Sequence, residues 1–170
     1  VFFPDATLLL ERKADLARRY GFEPVTPADQ EPQTEPAAGV PLGMEISRIN
    51  EALIDAADLC IANLTPFRGV SADPGTVFEV GYAVGRGKPV FGYTTDGRDY
   101  LDRVTAAIAA GAVVDGTVIE NHGMSDNLMI EGALLRRGGT VIRLSEGTGS
   151  RWHELVAFEE CLGRAAASLD

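Results

Sequence analysis

The sequence predicts an α/β protein in which a parallel sheet is covered by helices on both faces. Three observations lead there. Short, continuous apolar runs such as Leu59-Cys60-Ile61-Ala62 and Val90-Phe91-Gly92-Tyr93 read as strands buried on both sides. Other segments carry apolar residues at helical spacing, as in Ile46, Ile49, Leu53 and Ile54. The two kinds of segment alternate along the chain, which is the order of strand–crossover–strand units.

The elements follow in order. Asp5 is placed to cap a first helix carrying Leu8, Leu9, Leu16 and Ala17, and Gly21 ends it. Residues 22–25 then read as a short strand. A Pro-rich loop runs from Pro27 to about Pro41, and a second helix occupies residues around 43–57. The strand 59–62 leads into a loop at 65–74. There Asp73-Pro74 marks a helix start, with an acid at the cap and Pro at the first helical position. Gly87-Lys88-Pro89 stops that helix before the strand 90–93. The stretch 94–125, rich in Gly and Asp, yields no firm element, although 113–119 has the composition of a short strand or hairpin. Residues 127–137 read as a helix, 140–144 as a strand, and 151–167 as a closing amphipathic helix. One domain spans 1–170, and a further strand ahead of Val1 would bring the sheet to about five strands.

Composition bounds the function. With 170 residues the chain is long enough for a full core without staples. Its net charge of −10 works against a nucleic-acid partner, since binding a phosphate backbone needs clustered Lys and Arg. No apolar run of about 18 residues is present, so no membrane span is expected. Cys60 and Cys161 are far apart in apolar surroundings and read as two buried thiols of a reducing cytoplasm. The opening Val1-Phe2-Phe3-Pro4 has no basic region and no long apolar stretch, so no secretory leader is expected.

In such sheets a ligand lies outside the C-terminal ends of the strands, which points to the loops at 65–74, at 94–100 and after residues 22–26. Glu79 is the only charged residue from Pro74 through Gly85, on a helix otherwise apolar or small. Carboxylates are rarely buried without a partner, and the neighbours one turn away, Gly75 and Ala83, offer no cation but leave room for a ligand. The plain alternative is that Glu79 reaches solvent or Arg86. Asp73, at the loop-to-helix junction, serves as an N-cap whose carboxylate also points towards the crevice. Two carboxylates at one crevice suit glycosidic chemistry through an oxocarbenium-like transition state. The sequence holds no P-loop, no G-x-S-x-G elbow and no H-E-x-x-H, and neither a metal nor an organic cofactor is expected.

These residues also resemble a known family. Ala57-Asp58, an apolar strand, Asn63-Leu64-Thr65-Pro66-Phe67-Arg68-Gly69, then Asp73-x-Gly75-Thr76-x-Phe78-Glu79-Val80-Gly81 and Gly87-Lys88-Pro89 are similar to nucleoside 2-deoxyribosyltransferases, as is the block Asp126-Asn127-Leu128-Met129. The resemblance implies a flavodoxin-like three-layer sandwich with a five-stranded parallel sheet, whose first strand would precede Val1. It implies homodimers or higher homo-oligomers with shared active sites. It implies transfer of 2-deoxyribose between a 2′-deoxynucleoside and a nucleobase through a covalent glycosyl-enzyme ester. By position, Glu79 is the implied nucleophile, and Asp73 the group that hydrogen-bonds the sugar or the departing base. Asn127, with Met129 close by, is implied to reach the neighbouring subunit's site and hold the sugar 5′-hydroxyl. Asn50 stands where some members carry Asp, which leaves the general acid open. Gly75 belongs to the same motif, Phe2 and Phe3 are expected to wall the base pocket, and Asp29-Gln30-Glu31 falls where the family places base contacts.

Two alternatives stay open. Arg68 and Arg98 would suit a nucleoside 5′-monophosphate N-glycosidase, a hydrolase of the same fold. A non-catalytic nucleotide-binding module is also compatible with the scaffold.

Overall fold

The structure, a computed structural model, describes residues 5–26, 41–112, 116, 118–144 and 153–169. Strands β1 (Cys60–Asn63), β2 (Val90–Thr94) and β3 (Val141–Arg143) form a parallel sheet in the order β1-β2-β3. Cys60 stands opposite Val90 and Asn63 opposite Tyr93, while Gly92 pairs with Val141 and Thr94 with Arg143. β2 is central and buried from end to end, as its uninterrupted apolar run requires.

Side-chain alternation along β2 sorts two cores. Phe91 and Tyr93 join Leu16, Ile142, Phe158 and Leu162, on the face covered by α1 (Ala6–Arg19) and α6 (His153–Ala167). Val90 joins Leu64, Val80, Ile130 and Leu134, on the face covered by α3 (Pro74–Gly85) and α5 (Leu128–Leu135). Each large aliphatic side chain so buried contributes roughly 1.5–3 kcal/mol. Gly92 is a point of close approach between sheet and helix layer: a Cβ there would stand 2.8 Å from Leu64 and 3.0 Å from Leu134. α2 (Leu42–Ala56) packs against α3, outside this second layer, and has no fully buried residue. The result is the three-layer α/β arrangement that the alternating pattern predicts.

Two sequence expectations are corrected. Residues 22–25 are not a strand, and the sheet has three strands among the described residues. The cause is local: Gly21, at φ 85°, donates to Arg18 O, and Phe22 N–H bonds back to Ala17 O at 3.0 Å, so the start of that segment closes α1. The outer edge of β1 carries no strand among the described residues. The stretch 94–125, expected to lack a firm element, contains α4 (Tyr100–Ala109), which buries Arg103 and Val104.

The remaining boundaries agree to within two residues with those expected. Most of the Pro-rich loop, residues 1–4, most of the suggested strand or hairpin at 113–119, and Arg151-Trp152 lie outside the described residues. Among the described residues no helix is long and apolar enough to cross a membrane.

Candidate active site

The site begins where β1 ends. The chain leaves Asn63, loops through 64–73, and enters α3 at Pro74, whose fixed φ and missing N–H suit a first helical position. Asp73 caps the helix: its Oδ2 accepts from Thr76 N–H at 3.0 Å. A Cβ on Gly75 would lie 2.9 Å from that same oxygen, so the motif needs glycine there for the carboxylate to lie across the helix end.

Glu79 follows about one and a half turns into α3. Val80 and Ala83 take the buried face and Phe78 the exposed one, so Glu79 falls on the flank facing α2 and the outer edge of β1. It lines a cavity of about 270 Å³ together with Val25, Asn50, Cys60, Asn63 and Thr76. Asn50 Nδ2 donates to Glu79 Oε1 over a long 3.4 Å. No Lys or Arg is among the described residues that line the cavity. Burial, and then the like charge of Asp73, raise the Glu79 pKa above the ordinary 4.5. The thiol of Cys60, half-buried rather than fully buried, is also pushed up by burial, which disfavours its thiolate.

Other residues expected at the site stand elsewhere in this chain. Asn127 caps α5: its Oδ1 accepts from Met129 N–H at 2.9 Å, and its Nδ2 donates to Glu120 Oε1 at 2.5 Å. The Met129 side chain is largely exposed. Neither lines the Glu79 cavity. Arg68 is exposed in the loop, at φ 55°, with its guanidinium 4.8 Å from the centre of the Phe67 ring. Phe2, Phe3 and Asp29-Gln30-Glu31 lie outside the described residues.

The structure adds groups that the sequence reading passed over. Asn63 Oδ1 accepts from Thr65 N–H at 3.0 Å, and its Nδ2 donates to Glu154 at 3.0 Å. Glu154 also pairs with Lys13 and accepts from Tyr93 OH at 2.8 Å, so a polar cluster beneath the strand end steadies the start of the loop. At the loop's far end, Asp126 accepts from Ser71 Oγ and from the N–H groups of Ala72 and Asn127. In the sequence Asp126 stands out only as part of a motif, and Arg103, its ion-pair partner, carries no local signal.

Comparison with known proteins bears on the family and the fold. A sequence model of the family described as nucleoside 2-deoxyribosyltransferase matches residues 1–129. An uncharacterized protein of Schizosaccharomyces pombe is 33% identical over 160 residues, covering 83% of this chain and 76% of that protein. The solved structure of a 2-desoxiribosyltransferase from Leishmania mexicana superimposes with a TM-score of 0.59 at 29% identity, covering 94% of this chain and 91% of the other.

Proposed function

This chain belongs to the nucleoside 2-deoxyribosyltransferase family, and from that premise we propose that it moves 2-deoxyribose between nucleobases by a retaining, two-step displacement at Glu79. In the first step a Glu79 carboxylate oxygen attacks C1′ and the N-glycosidic bond breaks. The base leaves with the bonding pair and takes up a proton. In the second step a nitrogen of another base attacks C1′, releases the carboxylate and loses its proton. Asp73 hydrogen-bonds the sugar or the departing base, and the Asn50 amide steadies the nucleophile.

The observation that carries this reading is the Glu79 carboxylate itself, set in a cavity with one long hydrogen bond and a like-charged neighbour. Burial disfavours the free carboxylate but not the neutral ester that it forms. Part of the desolvation is therefore relieved along the reaction. Among the described residues that line the cavity there is no Lys or Arg, which supports an uncharged deoxynucleoside over a 5′-monophosphate, whose phosphate calls for a cation or a helix N-terminus.

The functional unit is a homo-oligomer. α2 and α3 expose Met44, Ile46 and Phe78 on neighbouring helices, an apolar surface suited to a second copy. Asn127 and Met129, which lie outside their own chain's cavity, would then serve a partner's, with Asn127 exchanging its bond to Glu120 for one to the sugar.

The test is base exchange followed by chromatography: 2′-deoxyinosine with excess adenine or cytosine, and a 5′-monophosphate in parallel. A new deoxynucleoside, and a deoxyribosyl adduct on the peptide containing Glu79, are expected. Free base without a new nucleoside, above all from the monophosphate, would replace this reading with the hydrolase.

A further inference from the structure

Three loops meet at the C-terminal edge of the sheet, one of them ending at Asp73, whose charge acts on Glu79, and one buried ion pair touches all three. Asp126, 1% exposed, accepts from Ser71 Oγ, from Ala72 N–H at 2.8 Å and from Asn127 N–H at 2.8 Å. Arg103, 3% exposed, stands 3.7 Å from the same carboxylate. Its guanidinium donates to Val70 O at 2.9 Å, to Arg98 O at 3.0 Å and to Ser125 O. The pair thus binds the loop 64–73, the loop after β2 and the segment leading into α5. Ala72, held by Asp126, directly precedes Asp73.

We propose that Asp126, oriented by Arg103, is the positioning residue of this site, fixing the loop that ends at Asp73 against the segment that begins at Asn127. It rests on the assignment of Asp73 and Glu79 as working parts of the site. The geometry requires a carboxylate. Both oxygens accept, and an amide at 126 would present a donor to a donor on one side while leaving Arg103 buried without its counter-charge. A hydrocarbon side chain would leave Ala72 N–H and Asn127 N–H unsatisfied as well. A loop freed in this way needs to shift by only about 1 Å to cost roughly a hundredfold in rate.

Asp126→Asn and Ser71→Ala are compared with the wild-type enzyme in the base-exchange reaction, with folded fraction measured by circular dichroism. Asp126→Asn is expected to lower kcat by about 10–100-fold with a smaller change in KM. Ser71→Ala, which keeps the Ala72 bond, is expected to lose only a few-fold. The second readout is the carboxylate titration of Glu79 by carbon NMR, which needs no substrate. Among the described residues Asp73 is the charge that, after burial, raises the Glu79 pKa. In Asp126→Asn the Glu79 titration should therefore move down as Asp73 swings away, a change that mere loss of folded protein does not produce.

A folded Asp126→Asn with wild-type kcat and an unmoved Glu79 titration would overturn the proposal. If Asp126→Asn does not fold, Ser71→Ala with wild-type rates and titration would do the same. A wild-type enzyme without transfer activity would instead remove the proposed function. The NMR titration would still report whether Asp126 holds Asp73 against Glu79.

Discussion

Two of the regions in which this molecule buries carboxylates treat them in opposite ways. Around Asp126 and Glu131, burial is deep and every charge is answered. Glu131 accepts from Ser125 N–H at 2.6 Å, from Ser125 Oγ at 2.8 Å and from Arg143 at 2.9 Å, and Arg143 also donates to Asp99 at 2.8 Å. At the head of α3 burial is shallower, yet among the described residues Glu79 has one 3.4 Å bond, no cation lining its cavity and Asp73 as a like-charged neighbour. Desolvation depth alone does not mark function. The informative sign is a carboxylate that the fold has room to pair and leaves short of donors. Paired charges fix loops, whereas one left short of donors among the described residues is in the state that the proposed reaction would relieve.

Glu79→Gln should separate the two regions most sharply. Transfer activity is expected to fall by at least about a thousandfold, since no oxygen nucleophile remains. Stability should move the other way. The folded-state pKa of Glu79 lies above its unfolded value, so the folded protein holds the extra proton between the two values and loses stability as pH rises through that window. The amide carries no such penalty. Thermal unfolding should therefore show Glu79→Gln above wild type at neutral pH, with the gain vanishing below the ordinary glutamate value of 4.5. A destabilised Glu79→Gln at pH 7 would mean that Glu79 is paired like the others.

Glu131→Gln is the converse experiment. It leaves the Arg143 guanidinium half-buried with a weakened partner and sets an amide group against Ser125. A loss of about 2 kcal/mol in denaturant unfolding is expected. Activity per folded molecule should change by no more than a few-fold, because Glu131 touches neither the cavity nor the loop 64–73. A large activity loss at unchanged stability would erase the distinction between the regions.

The two regions also differ in how far the sequence revealed them. Asp73 and Glu79 were legible because their signals are local: an acid before Pro at a helix start, then one charge on an apolar helix. The layer order was legible for the same reason, since Leu59-Cys60-Ile61-Ala62 and Val90-Phe91-Gly92-Tyr93 carry their burial in their own composition. The network of Asp126 and Arg103 joins residues remote in sequence, and no spacing rule connects Val70, Arg98 and Ser125. α4 did carry a readable pattern, with Tyr100, Leu101, Val104, Ala107 and Ile108 following Asp99, but the surrounding Gly and Asp obscured it. Residues 22–25 misled because apolar composition does not say whether a backbone has a neighbour to pair with. There Phe22 N–H was already engaged by α1.

The smallest change should test the site without touching either network. Gly75→Ala adds one methyl group, and its Cβ would meet Asp73 Oδ2 at 2.9 Å. Gly75 is exposed and nothing else crowds it, so the carboxylate is what must give way. Helix propensity favours alanine by about 1 kcal/mol, and weakening the Asp73 cap costs about the same. The melting temperature should therefore barely move. Activity should drop about tenfold as Asp73 leaves its place. Because Asp73 is the neighbour whose charge adds to burial in raising the Glu79 pKa, the acid limb of kcat/KM should also shift to lower pH. An unchanged limb with reduced activity would mean that Asp73 contacts substrate without tuning Glu79, and that burial alone sets the nucleophile's proton affinity.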